Sequence, residues 1–462
     1  MLPTVPGRVR LIVLNYNCGA FIGRCLAALH RLDWPTDQLE LVVVDNDSTD
    51  GSAAVVEAEF PAVRLIRNPT NTGFPANNVA LTDLAGIRYV GLVNPDSFVE
   101  PGWLRALAGA LDADPLLGAA SAKILFEPRF VDIVIDSPTF VPGIGDSRTL
   151  GVRVSGVRIN GVDRWHQAKF GTGAWGIEQS AQGTFQWTDA HATLRVPLPD
   201  TDIVTDSDSG TSGDTGGPLV AQIDIEAERT KKIVIRSGDN ERTVEVGVHA
   251  QSVEIHLDGE PYDLIQNAGS IVFDFGAGAD RGFLERDAGQ YDEPADIFAW
   301  CGGGVLFRPE YLDQVGLFDE RFFLYYEDTD LSWRGRAQGW RYRYVPGAVM
   351  RHLHAASTGE GSALFAYHVE RNRLLMLVKN APIRLAAVQT LRFVLSTASY
   401  ARRDIIGPLA RRRRPSPITV RRRAGSFAGF LRLLPAMLVA RRRLRRRQIV
   451  PDEELSSWLV RP

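Results

Sequence analysis

The stretch Tyr89-Val-Gly-Leu-Val-Asn-Pro-Asp-Ser97 reads as a short apolar strand that runs out into Asn94, Pro95 and Asp96. A carboxylate just beyond a strand end can hold a divalent cation against a diphosphate. Taken alone, Asn-Pro-Asp reads more readily as a turn. Later, Phe322-Phe-Leu-Tyr-Tyr-Glu327-Asp328-Thr-Asp330 carries two adjacent acids and a third at helical reach. A carboxylate between apolar walls has its pKa raised toward working pH. The plainer reading, a solvated acidic face, is disfavoured by Phe322, Phe323, Tyr325, Tyr326 and Trp333 around it.

The elements that must position these groups follow from apolar periodicity. Val9-Arg-Leu-Ile-Val-Leu-Asn15 and Leu39-Glu-Leu-Val-Val-Val-Asp45 are buried-strand patterns. Each ends in a polar turn, at residues 15–17 and 45–50. Phe21, Ile22, Cys25, Leu26 and Leu29 recur at helical spacing between the two strands. A third strand is expected near residues 63–66, a helix from about 101 to 112 and a strand near 119–126. Strands alternating with helices predict a doubly wound, mostly parallel sheet, in which all three polar turns share one edge.

From about residue 128 to 294 helical periodicity vanishes and short alternating runs appear, among them Gln222-Ile-Asp-Ile-Glu226, Lys232-Ile-Val-Ile-Arg236 and Ser270-Ile-Val-Phe-Asp-Phe275. They predict an inserted antiparallel β-sandwich. Trp165, Phe170 and Trp175 could stack on sugars there, although core positions are the more ordinary reading. Gly171-Thr-Gly-Ala-Trp-Gly176 has the dinucleotide glycine spacing but neither the strand before it nor the helix after it. Asp206 and Asp208 hint at calcium without the bidentate Glu, so residues 202–217 read as a solvated loop. The α/β texture resumes near Asp296. Trp300-Cys-Gly-Gly-Gly304 precedes a strand, a helix begins at Pro309, and residues 342–345 form a strand leading to His352 and His354. An amphipathic helix over 366–377 carries Arg371, Asn372 and Arg373.

The 462 residues suffice for two or three domains, and 45% apolar content excludes a disordered chain. The net charge of −3 conceals an asymmetry: residues 402–447 hold sixteen arginines against Asp404 alone, a charge of +15 that leaves −18 on the rest. An acidic body with a basic tail implies a separate anionic partner for the tail. Apolar stretches at 385–395 and 427–439, the second interrupted by Pro435, fit an amphipathic segment on an anionic membrane. Nucleic-acid binding is the weaker reading of the arginine runs. Cys18, Cys25 and Cys301 give neither a disulfide framework nor a zinc spacing, consistent with a reducing compartment. The N-terminus has no apolar signal-peptide core and reads as unprocessed.

In order along the chain, Leu14-Asn-Tyr-Asn17, Val43-Val-Asp-Asn-Asp-Ser-Thr-Asp-Gly-Ser52, Asn71-Thr-Gly-Phe74, Asn94-Pro-Asp96, Gly302-Gly-Gly304, Glu327-Asp-Thr-Asp-Leu331 and Arg371-Asn-Arg373 resemble the motifs of family 2 glycosyltransferases of the GT-A fold, especially the bacterial rhamnosyltransferase-like branch. The resemblance covers residues 8–126 and 295–380. It implies a Rossmann-like GT-A nucleotide-sugar half at 1–127, the inserted sandwich at 128–295, a GT-A acceptor and catalytic half at 296–380, and a basic helical tail at 381–462.

By that resemblance Asp328 is the general base that takes the acceptor proton in an inverting transfer, with Glu327 positioning the acceptor; Asp330 falls on the helix surface or behind the site. Asp45 bonds the donor's base, and Asn15, Asn17, Asn71, Gly73, Asn94 and Asp96 line the nucleotide-sugar site, with Asp47 and Asp50 as turn and capping residues. Trp300, Gly303 and Gly304 face the acceptor. Asp96 is the second acid of a metal motif whose first position is here Asn94, and with His352, or His354 in another register, it would hold Mg2+ or Mn2+. The expected donor is dTDP- or UDP-linked, most specifically dTDP-rhamnose, and the acceptor a cell-envelope or lipid-linked glycan. The expected location is the cytoplasmic face of the plasma membrane, held peripherally by the tail, with no nucleic-acid partner. Other readings are another nucleotide hexose, a polyprenyl-phosphate acceptor, or a glycan-binding scaffold on a decayed transferase fold. Retention of Asp45, Asp96 and Asp328 together argues against decay.

Overall fold

The computed structural model describes residues 7–143, 146–180, 183–199, 218–353 and 362–461. His354 and the segment with Asp206 and Asp208 lie outside them. The chain forms two compact units. The first comprises Met1–Glu127, Ile265–Phe283 and Ala288–Pro462, and the second Pro128–Leu264 with Leu284–Asp287.

The first unit is organised on a sheet whose main strands are β1 (Arg8–Asn15), β2 (Leu39–Asp45), β3 (Arg64–Arg67), β4 (Ile87–Val93), β5 (Leu117–Phe126), β6 (Gly304–Phe307) and β7 (Arg341–His352). Their spatial order is β7-β5-β6-β4-β1-β2-β3. β1 pairs in parallel with β2 and β4, β2 with β3, and β5 with β7. β6 alone among the seven runs antiparallel to both neighbours. The apolar runs are near-continuous because both faces are covered. Val9, Leu11 and Val13 enter one core with Ile22, Leu26, Trp103 and Leu107. Ile12, Val42, Val44 and Leu92 enter the other, with Phe307, Tyr311 and Tyr342. The sheet is the mostly parallel, Rossmann-like GT-A arrangement expected from the sequence.

Two consequences of this order bear on function. Strand order reverses at β1, so the crevice beyond the ends of β1 and β4 is the switch point where open α/β sheets bind ligands. Because β6 is reversed, its N-terminal glycines reach that same edge.

The second unit has two antiparallel sheets. One contains Phe130–Asp136, His191–Pro197, Lys231–Ser237 and Asn240–Val246; the other Arg153–Ile159, Gly183–Trp187, Val220–Glu226 and Gln251–His256. Ile133, Ile135, Leu194 and Ile235 from one meet Val157, Ile159, Ile223 and Ile255 from the other in a single core. Trp165 and Phe170 pack against this core. Trp175 bonds through its indole N–H to the Thr149 carbonyl, with the Arg148 guanidinium 5.6 Å from its ring centre. Within the Gly171–Gly176 stretch, Gly173 sits at φ +68° against the His191 carbonyl, where any Cβ would clash. It serves close packing of the chain against the strand at His191–Pro197.

The boundary expected at residue 295 moves. Ile265–Asn267 pairs with the end of β5, and Ser270–Val272 pairs with Gly278–Asp280, so the chain has rejoined the first unit by residue 265. The tail is also not a separate body. Helix α6 (Ala363–Asn380) packs with α7 (Ile383–Ala401) and α8 (Ile418–Arg447) around Leu374, Leu377, Phe393, Phe430 and Met437. Pro435 lies inside α8 without breaking it. Arg423 bonds Glu370, and Arg441 bonds the carbonyls of Val378 and Ala381.

Candidate active site

At the end of β1, Asn15 is fully buried. Its amide N–H groups face the Asp45 carboxylate at 2.9 Å, Ser52 Oγ at 2.7 Å and Ser48 Oγ at 3.1 Å. Asn15 therefore orients Asp45, at the parallel position on β2, and has no open face for a nucleotide. Asn17, at φ +53°, accepts from the Thr49 N–H at 2.8 Å. Asp50 accepts from the N–H groups of Gly19 and Ser52, the turn role the sequence predicts. Buried Asn46 donates to Asn71 Oδ1 at 2.8 Å and accepts from the Thr72 N–H at 3.1 Å, tying the 45–50 turn to the 71–73 turn. Sequence reading placed it in the motif but gave it no role.

Beyond β4, the Asp96 carboxylate lies 3.0 Å from His352 Nε2 at the end of β7. Nδ1 of the same ring lies 2.9 Å from Gln266 Oε1. A ring nitrogen held by such a partner fixes the tautomer and presents the other nitrogen as a ligand. Gln266 escapes sequence reading because it sits on the strand taken for part of the insert. Asn94 Nδ2 is 3.4 Å from His352 Nε2, and the Asn94 N–H donates to the Gly303 carbonyl. No group of three or more His, Cys, Asp or Glu that could hold a metal exists among the described residues. The donor set therefore fits a cation completed by ligand oxygens, not a cage made wholly of protein.

The acidic motif opens helix α5 (Glu327–Ala337). The loop before it places Phe323, Tyr325 and Tyr326 at φ +66°, +67° and +69°, a conformation that costs a non-glycine residue about 1–2 kcal/mol. A clamp from α6 holds it. Asn372 Nδ2 faces the carbonyls of Phe322, Leu324 and Tyr325 at 2.8, 2.6 and 2.8 Å, while Arg371 donates to Phe322 O and to Asn372 Oδ1. The same loop meets the donor-side turn: Phe74 N–H donates to Phe323 O at 2.7 Å. Gly73 sits so close that a Cβ would lie 2.1 Å from that oxygen. Only glycine, here at φ +74°, permits this approach.

Asp328 accepts N–H bonds from Thr329 and Gly302, and burial raises its pKa above the ordinary aspartate value. Gly302 bonds Asp328 and Gly303 bonds Asn94, so one glycine run links the acidic motif to the turn that carries Asp96. Glu327 is buried, its Oε2 has no hydrogen-bond partner among the described residues, and burial together with the Asp328 charge raises its pKa well above the usual range. Of the two positions expected for Asp330, on the helix surface or behind the site, the surface one does not hold. Asp330 is fully buried, accepting from Arg334, Lys379 and Asn380. The acceptor-facing expectation also fails. Trp300 is fully buried edge-on to Phe307 at 4.7 Å. Gly303 and Gly304 are buried as well, and a Cβ on Gly304 would strike Met350. These positions pack β6 against its neighbours.

The buried acid has a measurable consequence. A carboxyl whose folded pKa is raised lends stability that is complete below its unfolded pKa and lost as pH rises through the folded value. Glu327→Gln is neutral throughout. It is expected to match wild type in thermal unfolding at about pH 4 and then to gain on it by up to about 1.4 kcal/mol per pH unit between the two pKa values. A constant difference across pH would show that the charge is not the cause.

Residues 11–132 match the sequence profile of Glycosyl transferase family 2. The chain is 46% identical over 72 residues, 15% of its length and 24% of the relative's, to an N-acetylglucosaminyl-diphospho-decaprenol L-rhamnosyltransferase of Mycobacterium tuberculosis. It is 33% identical over 106 residues, 22% of its length and 18% of the relative's, to a poly(ribitol-phosphate) beta-N-acetylglucosaminyltransferase of Staphylococcus aureus. The chain thus spans only about a fifth to a quarter of the length of these relatives. A solved mannosyltransferase of Pyrobaculum calidifontis, in complex with GDP-Man and Mn2+, aligns over 96% of this chain and 86% of its own at 14% identity and a TM-score of 0.40. The fold rests on the strand order above, not on that likeness. Over residues 11–132 the chain is thus similar to the family 2 glycosyltransferases, and a rhamnosyltransferase is among the relatives that it resembles.

Proposed function

We propose that this protein is an inverting, metal-dependent glycosyltransferase that moves a sugar from a nucleoside diphosphate to a cell-envelope or lipid-linked glycan, with dTDP-rhamnose as donor. The observation that supports the reading is one glycine run in which Gly302 bonds Asp328 and Gly303 bonds Asn94, whose amide lies 3.4 Å from the His352 ring of the Asp96–His352 pair. In this reading a base of raised pKa lies near a site able to receive a charged leaving group. The donor sugar follows from the branch and the name of the mycobacterial relative.

In this reading Asp45, oriented by Asn15, bonds the nucleotide base. Asp328 takes the proton of the acceptor hydroxyl as its oxygen attacks the anomeric carbon and the bond to the diphosphate oxygen breaks. Asp96 and His352 would hold Mg2+ or Mn2+, which when bound offsets the charge of the departing diphosphate. Glu327, whose pKa is raised by burial and by the Asp328 charge, would hydrogen-bond the acceptor. Ile383, Leu391 and Leu395 on α7 are more than half exposed, among the arginines of the tail. They support a peripheral position on the anionic inner face of the plasma membrane. Among the described residues, Ile418–Arg447 is the one helix long and apolar enough to cross a membrane.

The test is release of nucleoside diphosphate from a donor panel that includes dTDP-rhamnose, with membrane extract as acceptor. Release from one donor, abolished by EDTA and lowered about 10²-fold by Asp96→Asn, is expected. No release from any donor, with no donor binding by calorimetry, would leave a glycan-binding protein.

A further inference from the structure

Away from the strand edge, a cleft of about 850 Å3 opens between residues 317–321 and the last two turns of α8. Its cations are Arg321, Arg334, Lys379, Arg443, Arg446 and Arg447, against the acids Asp319 and Glu320. The first three already have partners: Asp319 bonds Arg321 and Lys379, and Asp330 bonds Arg334 and Lys379. That leaves Glu320 facing three arginines. Arg443, Arg446 and Arg447 are exposed, and their guanidinium groups make no bond or ion pair among the described residues. At i, i+3 and i+4 they share one helix face, where like charges repel.

A cation at a helix C-terminus is favoured by the helix dipole, by about 0.3–1 kcal/mol. Arg445, bonded to Asp452 and to the Ala381 carbonyl, already occupies that position. The dipole does not account for three more on the cleft side. Between the charges the lining is apolar, with Leu317, Phe318, Ala440 and Leu444. Small-molecule sites fall at about 300–1,000 Å3, far larger than a free phosphate needs. Exposed cations beside buried and half-buried apolar side chains match a molecule with an anionic head and a hydrocarbon tail.

We propose that this cleft binds an amphiphile carrying a phosphate or diphosphate head, the head on Arg443, Arg446 and Arg447 and the first carbons of the tail on Phe318 and Leu444. This site is independent of donor chemistry at the strand edge. The test is calorimetry on the full chain in EDTA, without donor, using farnesyl diphosphate, inorganic diphosphate and phosphatidylglycerol vesicles as probes. Farnesyl diphosphate is expected to bind at least about tenfold more tightly than inorganic diphosphate, and the R443Q/R447Q variant to lose at least about tenfold in that binding. Ala440→Trp, which fills the cleft and keeps its charge, is expected to block it too. Unchanged thermal unfolding of both variants separates this from misfolding. Equal binding by wild type and both variants would overturn the proposal. So would inorganic diphosphate binding as tightly as farnesyl diphosphate, which marks a free-anion site, or binding to vesicles alone, which marks general membrane charge.

Discussion

Asp328→Asn is expected to lower transfer turnover by about 10³-fold while leaving donor affinity within about twofold, since a positioned general base contributes about 10²–10⁴. The amide keeps the shape of the side chain and can still accept the Gly302 N–H, so the loss reports proton transfer, not collapse of the loop. The pH profile gives a second readout. Burial raises the pKa of Asp328, and the base acts only when ionised. The acid limb of kcat should therefore lie above the pH at which an exposed aspartate titrates, about 3.9. Activity is lost as pH falls through that limb. An asparagine variant that turns over at the wild-type rate would remove Asp328 as base.

Asn372→Ala is expected to have the next largest effect, although Asn372 is fully buried on α6. Its amide faces three carbonyls of a loop with three residues in the left-handed region. Strained backbone of this kind persists only where its surroundings over-determine it. Losing the clamp leaves buried carbonyls unpaired and should cost about 3 kcal/mol of stability. The loop would then relax and carry the start of α5 with it, and a displacement of about 1 Å at a reacting group costs about 10²-fold in rate. The informative split is a fall in kcat per folded molecule with donor Kd unchanged. If kcat fell only in proportion to the folded fraction, Asn372 would be a structural residue and nothing more.

Much of the first unit was legible locally. β1, β2 and β4 are near-continuous apolar runs because both sheet faces are covered, and the polar residues at their ends mark where burial stops. By its Gly and Asn content the stretch 68–78 reads as one polar turn, but residues 74–80 form a 3-10 helix. Strands Phe130–Asp136 and Arg153–Ile159 escaped notice. The acceptor expectation at Trp300, Gly303 and Gly304 met a packed interior, with Trp300 against Phe307 and Gly304 against Met350. A glycine run before a strand looks like a ligand loop, and only the packing of Met350 against Gly304 shows that the space is already filled.

Composition and periodicity by themselves determined the α/β alternation, the β-rich segment that interrupts it, the polar strand ends and the basic tail, because each depends on neighbours within a few residues. The tertiary structure decided what those ends do together. Reversal of β6 brings Gly302 and Gly303 to the edge where Asn94 and Asp328 can both bond them. Pairing of Ile265–Asn267 with β5 delivers Gln266 to His352, and α6 delivers Asn372 to the acidic loop. The same packing buries Trp300 and docks the tail on α6. Each of these contacts joins residues tens to hundreds of positions apart. Their geometry is set by which strand pairs with which and how closely backbones approach, and no local pattern of residue types carries that information.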